Sequence, residues 1–173
     1  ITMLMVTGTM NLNEIVHQQA GWFWNWNVFK VWVNPLMPVT FVIFFICMLA
    51  ETNRAPFDMA EAESELVAGA FTEYGGMGFG VFFMAEYANI VVGCCLATIL
   101  FLGGWQSPFG ALSGVLGPLW FLLKMYALIF TVIWIRWTFP RTQFYSLLNL
   151  SWKILIPLSL FTLVLTGVMI KII

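Results

Sequence analysis

Seven of the chain's eight acidic residues fall between positions 51 and 86: Glu51, Asp58, Glu61, Glu63, Glu65, Glu73 and Glu86. The rest of the chain holds only Glu14. Carboxyl groups take up and release protons, and their affinity responds to burial and to neighbouring charge. A file of them in an apolar chain is suited to moving protons. Glu86 is the most demanding member. It sits in Phe82-Phe83-Met84-Ala85-Glu86-Tyr87-Ala88-Asn89-Ile90, about ten residues, or ~15 Å at helical rise, inside an apolar run. An ionisable group at that depth is costly and usually faces a cavity, a partner or a proton path. The competing reading is a structural hydrogen bond to a neighbouring helix. For Glu61, Glu63 and Glu65 the competing reading is a solvated interfacial loop.

Other reactive side chains offer less. Cys47, Cys94 and Cys95 lie inside apolar runs with no CxxC or Cys/His spacing, so they read as small buried hydrophobes. No metal or redox centre is expected in the chain itself. His17 and Glu14 belong to a polar, aromatic stretch where a solvated role is expected. Lys124, in Phe121-Leu122-Leu123-Lys124-Met125-Tyr126, is a second charge within an apolar run. It either partners a carboxylate or snorkels to the opposite interface.

These groups must be carried by membrane-spanning elements. Apolar residues make up 61% of the 173 and charged residues 9%, against roughly a quarter charged in a soluble domain. The formal net charge is −1 and no basic stretch exists, which leaves no electrostatic footprint for nucleic acid. With no water in a bilayer core, the spans should be helices. The expected fold is an all-α integral membrane protein with about four full transmembrane helices plus the end of a preceding one.

Residues 1–10 read as that helix end, with no charged n-region or cleavage site of a signal peptide. The chain is therefore expected to be a fragment or one half of a split subunit. Residues 11–34 read as a polar, aromatic interfacial loop, with Trp22, Trp24, Trp26 and Trp32 at headgroup level. Spans are expected at 35–52, 77–103, 118–137 and 152–173. The intervening loops are 53–76, 104–117 and 138–151.

Within 53–76, Pro56 disfavours helix at Ala55, and Asp58-Met59-Ala60-Glu61 resembles a capping box. A short helix from Met59 to about Ala70 should follow, with Glu61 and Glu65 on one face. Arg54, Arg136, Arg141 and Lys153 on one side outnumber Lys30 and Lys171 on the other. That asymmetry puts the acidic loop on the cytoplasmic or matrix side.

Several motifs go further. Ala50-Glu51-Thr52-Asn53-Arg54-Ala55-Pro56-Phe57-Asp58, Glu61-Ala62-Glu63-Ser64-Glu65-Leu66-Val67-Ala68-Gly69, Glu73-Tyr74 and Met84-Ala85-Glu86-Tyr87-Ala88-Asn89 resemble the NADH dehydrogenase subunit 1 family, the H subunit of respiratory complex I. Leu102-Gly103-Gly104-Trp105, Ile135-Arg136-Trp137-Thr138-Phe139-Pro140-Arg141 and Trp152-Lys153-Ile154-Leu155-Ile156-Pro157-Leu158 continue the likeness. The opening Met5-Val6-Thr7-Gly8-Thr9-Met10-Asn11-Leu12 fits it too, so the resemblance runs along essentially the whole chain.

The resemblance implies a multi-pass subunit of a bacterial or mitochondrial inner membrane, at the joint between the membrane and peripheral arms. It implies that ubiquinone or menaquinone is the substrate. NADH, FMN and iron–sulfur clusters would be held only by partner subunits. Those partners would be the quinone-site peripheral-arm subunits, the iron–sulfur subunit, small membrane-arm subunits and the N-terminal half of the same subunit. It casts Glu51, Glu73 and Glu86 as a proton path. Arg54, Asp58, Glu61, Glu63 and Glu65 would form the quinone-chamber and coupling loop. One departure stands out: after Pro140-Arg141 the family continues with a further Arg and an Asp, where this chain has Thr142-Gln143-Phe144-Tyr145-Ser146. The alternatives are the membrane anchor of an energy-converting hydrogenase or photosynthetic complex I-like enzyme, a stand-alone ion transporter, and a structural scaffold.

Overall fold

The computed structural model describes residues 1–30, 35–52, 56–57, 76–109, 116–140 and 142–172. Among them run helices α1 (Thr2–Thr7), α2 (Leu12–Gln18), α3 (Met37–Glu51), α4 (Met77–Phe101), α5 (Gly117–Thr138) and α6 (Phe144–Ile172). No strand forms among the described residues beyond an isolated bridge between Trp22 and Phe109. Helices α4, α5 and α6 are each long and apolar enough to cross a bilayer, while α3 is shorter at 15 residues. The chain is thus an all-α membrane protein, and each helix satisfies its own backbone away from water.

Both α3 and α5 begin with a proline in the first turn, Pro38 and Pro118, where the missing N–H costs nothing. The core lies where α3, α4 and α5 meet. Met48 and Leu49 pack there with Ile90, Cys94 and Ala97 of α4, and with Met125, Leu128 and Val132 of α5. Gly93 permits the closest approach. A β-carbon on it would lie 2.6 Å from Met48 Cγ and Sδ, so a small residue sets the α3–α4 distance, as is common between membrane helices.

Two stretches differ from the reading of the sequence. Among the described residues of 11–34 lie α2 and a 3₁₀ turn at Phe23–Asn25. Asn11 starts α2 by accepting the Asn13 N–H at 3.1 Å, a regular N-cap. Helix α6 begins at Phe144 rather than Trp152, because Phe144–Leu150 contains no proline or glycine to stop it. The irregularity falls instead at Ser151–Leu155, one π-helical turn just ahead of Pro157. Beyond it, α6 packs against α1 and α3.

Candidate functional site

On α4, Ile90, Cys94, Ala97 and Phe101 are buried, at the spacing of one helical stripe. Glu86 is the next position of that stripe and is half-buried, whereas Met84, Ala85, Tyr87, Ala88 and Asn89 are exposed. The carboxyl therefore lies on the face of α4 that meets the bundle. It sits about 14 Å from the start of α4 and about 22 Å from its end. Phe79, Phe83 and Tyr87 follow one another along α4 with ring centroids 5.1 and 5.9 Å apart. A small cavity of about 120 Å³ adjoins this level, with Tyr87, Ile90, Val132 and Arg136 in its lining. A basic residue of α5 thus shares a cavity wall with the residue next to Glu86.

Glu51 is the last residue of α3 and is exposed. Arg54, Asp58, Glu61, Glu63, Glu65 and Glu73 lie outside the described residues, as do the capping box, the expected Met59–Ala70 helix and Arg141. The root of that loop is described. Pro56 and Phe57 are buried, and Phe57 joins the core. Thr142 holds this root: its backbone N–H and its Oγ1 both donate to the Pro56 carbonyl, each at 2.9 Å. The position where the chain departs from the family pattern therefore ties the last inter-helix connection to the acidic loop.

Beside Pro56 and Phe57 opens an almost wholly apolar cavity of about 580 Å³, walled by Phe45, Leu49, Ile135 and Leu147. Its described lining suits a hydrocarbon chain. Thr142→Val should remove one of the two bonds to Pro56 and lower thermal stability by about 1 kcal/mol. Thr142→Ser should restore it, and thermal unfolding of the assembled protein checks both.

The opposite end of the bundle holds a second polar constellation. Lys124 is buried in α5, and its Nζ donates to the carbonyls of Leu102 at 2.7 Å, Gly104 at 3.1 Å and Gln106 at 2.7 Å. The same nitrogen sits 4.0 Å from the centroid of the Trp26 ring, a cation–π contact. Lys124 does run toward the far end, but it ends in a carbonyl cradle rather than in water or against a carboxylate. Trp26 is likewise buried instead of lying at headgroup level with exposed Trp22 and Trp24. Trp32 lies outside the described residues.

The cradle exists because Gly103 and Gly104 both adopt left-handed backbone, φ 73° and 51°, which glycine enters without the usual steric cost. Neighbouring groups close the end of α4, whose last carbonyls have no partner within the helix. Gln19 Nε2 donates to Ile99 O at 3.1 Å, Asn27 Nδ2 to Leu100 O at 2.9 Å and Val28 N to Phe101 O at 3.2 Å. Gln19 Oε1 in turn accepts the Asn27 N–H at 3.1 Å. Reasoning from sequence missed Gln19 and Asn27 altogether. The one available signal was the Gly103-Gly104 pair beside Leu102. Among the described residues, no three His, Cys, Asp or Glu side chains are grouped as metal ligands would be.

Comparison with known proteins adds a lineage. The NADH dehydrogenase family profile matches residues 1–167. The NADH-quinone oxidoreductase H subunit of Desulfotalea psychrophila is 64% identical over 99% of this chain and 52% of its own length. An H subunit of the same enzyme in Koribacter versatilis is 46% identical over 96% of this chain and 48% of its own length. The H subunit of Rhodospirillum centenum is 47% identical, with the same two coverages of 96% and 48%. The chain thus spans about half the length of the curated relatives it matches.

Proposed function

Since the chain belongs to the H-subunit family of NADH-quinone oxidoreductases, we propose that it is part of the membrane subunit of a proton-pumping NADH:quinone oxidoreductase in a bacterial inner membrane. In this reading it forms part of the quinone chamber and of the acidic path that couples quinone reduction to proton translocation. The observation that carries the second role is the half-buried Glu86 on the inward stripe of α4. A carboxyl held there can exchange protons without facing lipid, and removing it from water demands a function in return. Glu51 stands at the loop end of α3, and Glu73 would connect the two. Arg54, Asp58, Glu61, Glu63 and Glu65 would make the loop that senses quinone chemistry, on the cytoplasmic side. The redox cofactors would belong to partner subunits.

Purification in mild detergent with mass spectrometry of what travels with the chain tests the assignment. Iron–sulfur and antiporter-like subunits are expected. Hydrogenase subunits would move it to the energy-converting hydrogenases, and a chain found alone would favour an ion transporter. Arg54→Gln should weaken quinone reduction on the order of tenfold, the value of one charge-assisted hydrogen bond. Quinone titration of the assembled enzyme reads this out, and unchanged kinetics would remove Arg54 from the chamber.

A further inference from the structure

Lys124 is a buried charge that neither the quinone reaction nor the acidic file uses. An ammonium has three N–H donors, and here three carbonyl oxygens take them while the Trp26 ring covers a further side. The cradle therefore holds the ammonium in place, and it cannot swing into water. Among the described residues no carboxylate neutralises it. The described groups that offset its positive field are carbonyl dipoles, including those at the end of α4.

Two polar side chains at the same end are locked as well. Gln19 and Asn27 are almost fully buried and commit their amides to one another and to α4 carbonyls. Amides held in this way do not readily relay protons, unlike carboxyls or water. Of the acidic file's described members, by contrast, Glu51 ends α3 and Glu86 lies about 22 Å along α4 from the end beside Lys124.

We propose that Lys124 is a fixed cation barrier that closes this end of the bundle to protons. A proton taken up at Glu86 then leaves sideways, toward a neighbouring helix or subunit, and not straight across this chain. Fixed positive charge excludes protons in other membrane pores by the same electrostatics. Two unit charges about 10 Å apart at an effective dielectric near 20 repel enough to slow passage on the order of tenfold. The proposal rests on the reading of Glu86 as a proton carrier, and the test separates the two.

The test uses membrane vesicles bearing the assembled complex, with the quinone site blocked by an inhibitor and passive proton leak followed after a pH jump. Lys124→Met and Lys124→Gln should raise the leak on the order of tenfold, and Lys124→Arg should stay tight. Adding Glu86→Gln to the Lys124→Gln variant should restore tightness. Tight vesicles in both neutral variants, with all subunits still assembled, would overturn the barrier. So would neutral variants that fail to assemble while Lys124→Arg succeeds, since Lys124 would then be only a structural anchor. A leak that rises but ignores Glu86→Gln keeps the barrier and removes Glu86 from the proton path.

Discussion

Glu86→Gln should leave the subunit assembled and cut quinone-coupled proton pumping by tenfold or more. The amide keeps the shape of the carboxyl and fits the same half-buried place on α4, so packing along the Ile90, Cys94 and Ala97 stripe is preserved. What it loses is ionisation, and a positioned acid or base typically contributes ~10²- to 10⁴-fold to a proton-transfer step. Glu86→Asp, which keeps the acid on a shorter stem, should recover part of the loss. Proton uptake in vesicles, measured against quinone turnover in the same preparation, gives the coupling ratio. Wild-type pumping in the amide variant would remove Glu86 from the mechanism.

The second large effect belongs to the far end. Gly104→Ala should destabilise the protein by about 2–4 kcal/mol, because two costs add there. A β-carbon on Gly104 would lie 2.7 Å from Val16 Cγ2, and Val16 is fully buried and has no room to yield. The backbone at φ 51° also penalises any side chain. Relief of either strain would move the Gly104 carbonyl off Lys124. Gly8→Ala supplies the control: Gly8 has φ 69° but nothing within 4 Å of its β-carbon position, so only the conformational cost of about 1 kcal/mol applies. Equal melting temperatures for the two variants would show that the Val16 contact does not constrain the turn.

The two sites were unequally legible in the sequence. Glu86 could be found because a carboxyl in the middle of an apolar run is conspicuous, and its depth follows from counting residues at helical rise. The helices were legible for the same reason, since apolar run length reports membrane crossing. The Lys124 cradle was not legible. Its three acceptors are backbone carbonyls, and every residue has one, so nothing in Leu102 or Gln106 marks it as a ligand. Trp26 misled for a related reason: four nearby tryptophans suggest a headgroup belt, and only tertiary packing singles out Trp26 from the exposed Trp22 and Trp24. Thr142 read as a departure from the family pattern, yet a threonine brings both a hydroxyl and an N–H to the same carbonyl. Gln19 reaches α4 from eighty residues away in sequence, a distance over which no local pattern speaks.

The π-helical turn at Ser151–Leu155 has a consequence for which side of α6 leans on the bundle. One extra residue in a turn shifts the phase of everything beyond it by roughly 100° about the axis. Leu150 and Thr162 would stand about 120° apart on a regular helix, and with that shift they come to within about 20° of one another. Leu147 and Leu150 wall the cavity beside Phe57, and the buried Thr162 farther along therefore keeps to much the same side of the rod. By giving a single residue to the phase change, the chain keeps a long helix in register with the neighbours it leans on.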